Sequence, residues 1–329
     1  MLYRLSVAKP LQEAVPAIAA DQLEAAISRL KSADHDSKAF HSARKHFKRA
    51  RALLGLAAPA ARGKNAKASQ KLIASAARML SASRDARVAI GAAEGLEKDC
   101  SAGGNASAFT DLTAFLIARR DRTEEKLNSV GLEQVLGELE KAKASLKRID
   151  LGGAHMGDLL RSACATYRLA RRAMRKALTN PEDEPMHDWR KLTQQHWRHT
   201  LLLKESWPKE AKGRTALARQ LSEILGQYND LAVVRETVLT NSAAFRSPAD
   251  VAVVCQCIEK KQRKLLRQAA SSGERLYAEK PKAFARRVET YSKELITRML
   301  AQKRGRDPEK AVAHVASPFP KDRDGARGA

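Results

Sequence analysis

The sequence predicts an all-α protein: two antiparallel four-helix units, packed as pseudo-repeats with their cationic faces turned toward one common groove. Three observations point there. Beyond the first few residues no segment alternates as a strand does, whereas apolar residues recur at three- and four-residue spacing along most of the chain. A histidine followed by arginine and lysine at plus three and plus four occurs at His41 and again at His187. The charge is lopsided, with 61 Lys and Arg against 37 Asp and Glu, a formal +24 over 329 residues.

The stretch from Met186 to Leu203 organises the rest. At about 100° per residue, Arg190, Lys191 and Arg198 fall within roughly 60° of His187 on a helix. Trp189, Leu192 and Leu203 fall on the far side, giving an apolar back and a cationic front. The earlier copy places His41, Arg44, Lys45, Lys48 and Arg51 on one stripe and Ala43, Phe47, Ala50 and Leu54 behind it. Two such helices far apart in sequence indicate an internal duplication. A third cationic helix spans 157–178. Arg161, Arg168, Arg171, Arg172 and Arg175 form its stripe, and Leu160, Cys164, Tyr167, Ala170 and Met174 form its back.

The remaining elements follow in order. Residues 2–7 read as short and extended. Val15, Ile18, Ala19, Leu23, Ala26, Ile27 and Leu30 make the apolar stripe of a helix over 11–31. Residues 34–37 read as a turn with an N-cap. One helix is expected over 67–95, another over 105–128, and another over 130–149. The glycine-containing stretch 151–157 follows no strand and lacks phosphate-loop spacing, so it reads as a plain connection. The acidic segment 180–185 is the division between halves. After it come the Met186 helix, a turn at 208–213, a helix over 217–240, and a helix over 248–271 with a basic end that includes Lys264. Pro281, a favoured first helical residue, opens a last helix to 301. The expected division is therefore 1–180 for the first repeat, 181–301 for the second, and a disordered basic tail over 302–329.

Between Ser37 and Arg84 there is no acidic residue. A solvated helix face normally mixes both signs, because opposite charges one turn apart stabilise it. So long an acid-free run is more than a solvated face needs, and a polyanionic partner accounts for it better than solubility alone. Aromatic residues are 5% of the chain, a thin supply for stacking single-stranded bases. The four cysteines show no zinc-ligand spacing and read as reduced thiols. No signal-peptide core and no membrane-length apolar run is visible, so no membrane association is expected and the expected location is the cytoplasm.

No metal site or cofactor is expected. His41 and His187 stand among cations, which discourages metal binding by repulsion. His196 and His199 have ligand-like spacing, but His196 falls on the apolar back. No nucleophile constellation is visible, and phosphate hydrolysis needs acids to hold a metal ion or activate water, so no catalytic residue is assigned. Asp85 and Asp230, at matching places in the two halves, are expected to hold arginines in position.

His41-x-x-Arg44-Lys45, His187-x-x-Arg190-Lys191, the segment Leu225 to Asp230 with Leu-Ala-Val after it, and the segment Glu279 to Arg287 occur in an order that resembles the CHAD family, the conserved-histidine α-helical domain. The resemblance covers about residues 10–300. It implies two four-helix bundles around a basic central cavity that binds inorganic polyphosphate. Carried over to matching positions, the first-repeat contacts are His41, Arg44, Lys45, Lys48 and Arg51, and those of the second are His187, Arg190 and Lys191. The second repeat departs from the family pattern at plus seven and plus ten, where Gln194 and Trp197 stand. Arg198 lies on the same face in their place.

The expected function is non-catalytic binding of polyphosphate at these residues, with Arg161, Arg168, Arg171, Arg172, Arg175 and Lys264 on the neighbouring stripes, and targeting to polyphosphate granules. Polyphosphate carries about one charge per phosphate and no bases. A binder needs cations at every turn, about 5.4 Å apart, and few rings. The alternative is a nucleic-acid or nucleoid-associated protein, since a +24 chain binds any duplex non-specifically.

Overall fold

The apolar stripes read above become the buried helix faces. The computed structural model describes residues 3–32, 37–100, 106–126 and 130–303. Among them are eleven α-helices and no strand: α1 (Leu11–Lys31), α2 (Ser37–Ala57), α3 (Asn65–Met79), α4 (Ser81–Cys100), α5 (Ala106–Lys126), α6 (Val130–Leu146), α7 (Met156–Thr179), α8 (Asp183–Leu202), α9 (Pro208–Thr240), α10 (Pro248–Leu276) and α11 (Pro281–Lys303). Residues 3–10 are not extended. They cross the end of α8, where the Leu5 N–H donates to the Leu202 carbonyl at 2.8 Å. The expected turn at 34–36 and the tail from 304 lie outside the described residues.

Neighbouring helices sort into two groups. In the first, α1 packs on α2, α2 on α3, α3 on α6, and α6 back on α1. In the second, α7 packs on α8, α8 on α9, α9 on α10, and α10 on α7, with α11 against α7. The α4–α5 pair leaves the first group in sequence and packs on α9 and α10 of the second. Arg119 Nη1 donates to Thr237 Oγ1 at 2.8 Å, Arg246 pairs with Asp111 at 3.1 Å, and Lys261 pairs with Asp99. The division at 180 therefore falls between two helices, α7 and α8, that pack on each other.

Several helix limits differ from the expected ones. The helix expected over 67–95 is broken at Leu80, whose backbone leaves the helical region (φ −90°, ψ 6°). The Arg44 guanidinium holds that break, donating from Nη1 to the carbonyls of Ala77 (3.1 Å) and Leu80 (2.9 Å). A cation here satisfies carbonyls that a helix end leaves without partners. The expected turn at 208–213 is the first turn of α9, started by Pro208 at a position where its missing N–H costs nothing. The 180–185 linker shortens to three residues because α8 begins at Asp183. Finally, α10 runs on to Leu276.

The core is continuous. Val15, Leu23, Phe47, Leu53, Leu54, Phe109, Leu139, Leu160, Tyr167, Trp189, Leu221, Leu225, Ile258 and Phe284 are all essentially inaccessible. Burying each large aliphatic or aromatic side chain contributes about 1.5–3 kcal/mol. Gly273 permits the closest approach in the second group, since a Cβ there would lie 2.7 Å from Trp189 Cζ2 and 2.8 Å from Met174 Sδ. No described helix is long and apolar enough to cross a membrane.

Candidate anion-binding cleft

The two histidine-headed helices meet. α2 packs on α8, and between them lies a cleft of about 350 Å³ lined by Lys48, Arg51, Ala52, Gln70, His187, Arg190, Lys191, Gln194, Gln195 and Arg198. Five of these are cations and none is a carboxylate. Both copies of the motif contribute, α2 through Lys48 and Arg51, α8 through the rest of the charge. Gly55 on α2 leaves room for the side chain of Gln70 on α3 at the edge of the cleft. A Cβ on it would meet Gln70 Nε2 at 2.9 Å, and that amide is itself occupied in donating to the Arg51 carbonyl at 3.0 Å.

α9 sets the side chains of α8 through three consecutive residues. The Tyr228 hydroxyl donates to the Pro181 carbonyl at 3.0 Å, tying α9 to the start of α8. The Asn229 amide nitrogen donates to His187 Nδ1 at 3.1 Å. Asp230 Oδ1 lies 3.7 Å from Arg190 Nη1. Asp230 thus holds an arginine as expected; the side chain of Asp85, its counterpart, lies outside the described residues.

The cleft is electrostatically loaded. Burial, then the neighbouring cations Arg49 and Arg51 against the opposing pull of Tyr3, brings Arg198 down to about 10, so it stays charged at neutral pH. Its guanidinium lies over the Trp197 ring at 5.2 Å and donates to the Gln194 carbonyl at 2.9 Å. Burial and the nearby Arg78 lower Arg51. Burial, followed by Lys191 and Arg190, lowers His187, against a weaker upward pull from Asp188. Cations that disfavour one another this way favour an anion between them. Lys191 also reaches Asp188 at 2.9 Å, a pair exposed enough to exchange partners.

The other candidate residues lie elsewhere. His41, Arg44 and Lys45 do not line the cleft, and Arg44 is committed to the α3 carbonyls. On α7, Arg161 pairs with Asp158 and Arg171 Nε donates to the Tyr277 carbonyl at 2.9 Å. Arg168, Arg172 and Arg175 are exposed on α7, and Lys264 is exposed on α10. Gln70, Gln195 and Asn229 were not anticipated. Neutral amides carry no signal in a charge pattern, although Asn229 sits in the Leu225–Asp230 motif.

His196 is no ligand. It is sealed among Tyr167, Tyr277 and Phe284, with ring centroids 5.5, 5.9 and 6.1 Å away. Among the described residues no group of three or more His, Cys, Asp or Glu could hold a metal ion. All four cysteines are free.

The comparisons with known proteins agree with this architecture. No curated protein matches the chain. Its structure is similar to the crystal structure of the CHAD domain from the plant Ricinus communis, with a TM-score of 0.54 at 18% identity, covering 84% of this chain and 93% of that one. At that identity the likeness shows the fold alone. The family model for the CHAD domain matches residues 17–239, which include both histidine-headed helices and the α9 stretch that positions the second of them, and the chain therefore belongs to the CHAD family.

Proposed function

We propose that the protein binds inorganic polyphosphate in the cleft between α2 and α8 and does not hydrolyse it. The observation that carries the reading is the lining itself: five cations and a histidine, drawn from both copies of one motif, with no carboxylate. Flexible chains of phosphates match such a surface, because Arg gives forked hydrogen bonds and Lys gives point charges. Hydrolysis would need an acid or a metal site beside the anion, and the two carboxylates paired with cleft residues are engaged, Asp230 with Arg190 and Asp188 with Lys191. The reading takes the two helix groups as duplicated halves. It places the protein in the cytoplasm, at polyphosphate granules.

A second reading, general binding of nucleic acids, has one observation in its favour: the exposed row Arg168, Arg172 and Arg175 on α7 lies outside the cleft. Competition separates the two. Labelled long-chain polyphosphate is bound near physiological salt, and duplex DNA and single-stranded RNA are titrated in at equal phosphate concentration. Polyphosphate is expected to hold against a large excess of both. Displacement at parity would make the protein a general polyanion binder.

A further inference from the structure

His187 lines the cleft, and its Nδ1 meets the buried side chain of Asn229 on α9. An amide nitrogen can only donate, so the Nδ1 it meets at 3.1 Å must be bare. A neutral imidazole carries one proton, and that proton then sits on Nε2. We propose that Asn229 is a positioning residue: by occupying Nδ1 of His187 it holds the neutral ring in the Nε2–H form, so that the cleft offers an N–H donor to a phosphate oxygen.

The alternative arrangement is the costly one. With the proton on Nδ1, Nε2 would turn a lone pair toward the anion and repel it. Charge does not remove the issue, because burial and the cations Lys191 and Arg190 keep His187 neutral at neutral pH, with only Asp188 opposing them. A neutral ring that already holds its proton on Nε2 needs no tautomer exchange when the ligand arrives.

His46 on α2 is the opposite case within the same molecule. Its Nδ1 lies 3.0 Å from Gln22 Oε1, an acceptor, so its proton belongs on Nδ1. The two rings report different tautomers in one spectrum.

The inference rests on reading the cleft as an anion site, and the experiment separates the two. Ring ¹⁵N spectra are recorded on ligand-free full-length protein above the titration midpoint of each ring, with the His187 signals identified by their loss in His187→Gln. Wild type is expected to show Nε2–H at His187 and Nδ1–H at His46. Asn229→Asp, which offers only acceptors, is expected to move the His187 proton to Nδ1. Nδ1–H in the wild-type protein, or an unmoved proton in Asn229→Asp, would overturn the inference. Polyphosphate affinity of Asn229→Asp is then expected to fall roughly tenfold or more, the scale of a lost hydrogen bond to a charged group. The same change in the His187→Gln background measures the added negative charge alone, and an equal loss there would overturn the assigned role. A wild-type protein with the expected spectrum that fails to bind polyphosphate removes the functional reading and leaves the tautomer assignment standing.

Discussion

His199 on α8 hydrogen-bonds through Nε2 to the carbonyl oxygen of Ala52 on α2 at 3.2 Å, joining the two cationic helices inside the protein. The ring is fully buried, and burial pulls its pKa from 6.5 to about 4. The folded state therefore favours the neutral ring. The stability this contributes is present above pH 6.5 and is lost as pH falls toward 4. Its size is on the order of 3 kcal/mol. His196, also fully buried and lowered by burial first, acts in the same direction. Urea unfolding at pH 7.5 and 4.5 measures the loss. His199→Gln keeps a donor for Ala52 without a titrating ring, so its stability is expected to drop less on acidification. An identical drop would show that His199 does not carry the effect.

The cleft residues and the outlying cations make opposite predictions. Lys48→Glu, Arg51→Glu and Lys191→Glu are each expected to weaken polyphosphate binding about tenfold or more. Arg168→Glu and Lys264→Glu, equal in charge change but outside the cleft, are expected to change it less than about threefold, because exposed charges are screened within about 8–10 Å. The dependence of log affinity on log salt should flatten by about one for each cleft cation removed. Equal losses in both sets would point to diffuse charge as the binding determinant.

Arg44 is expected to behave as a structural residue. Its guanidinium spans the α3–α4 break through the Ala77 and Leu80 carbonyls. Arg44→Leu should cost about 1.5–3 kcal/mol of stability, the range for hydrogen bonds from a charged group. At a temperature where the variant is folded, polyphosphate affinity should fall far less than in Arg51→Glu. A stable variant that no longer binds would move Arg44 into the binding surface.

Gly273→Ala reverses the usual rule. Inside a helix this change gains about 0.5–1 kcal/mol. Here the new Cβ meets the rigid, fully buried ring of Trp189 at 2.7 Å, and overpacking costs about 1–3 kcal/mol. Net destabilisation is expected in denaturant melts, with a partial recovery when Met174→Ala is added. A stabilised Gly273→Ala would show that the α8–α10 packing yields more easily than its geometry indicates.

Much of the fold was legible because helical periodicity is a local property. The stripes of α1, α2 and α7 appear in sequence with nearly the limits they have in the structure. The break at Leu80 was not legible, since helix-forming residues continue on both sides and the cause, Arg44, lies on another helix. The 180–185 segment between α7 and α8 is acidic and carries two prolines, which marks a boundary in sequence, while the packing of the two helices on each other is visible only after folding. At the cleft, the stripes identified Lys48, Arg51, Arg190, Lys191 and Arg198. They also marked Arg161 and Arg171, whose charges are taken up by Asp158 and the Tyr277 carbonyl. The first of those partners is visible three residues away in sequence. The second exists only after folding.

The excursion of α4 and α5 has a consequence during synthesis. The chain emerges from its N-terminus onward, so α1 to α3 appear first, but their group closes only when α6 follows. Between them emerge α4 and α5, whose apolar residues Ala93, Leu96, Phe109, Leu112 and Leu116 are covered in the finished protein. The helices they pack on, α9 and α10, begin at Pro208 and Pro248. For about a hundred residues of further synthesis the nascent chain carries an uncovered helical hairpin, and a stall in that interval would leave the species of this protein most exposed to chaperones and to aggregation.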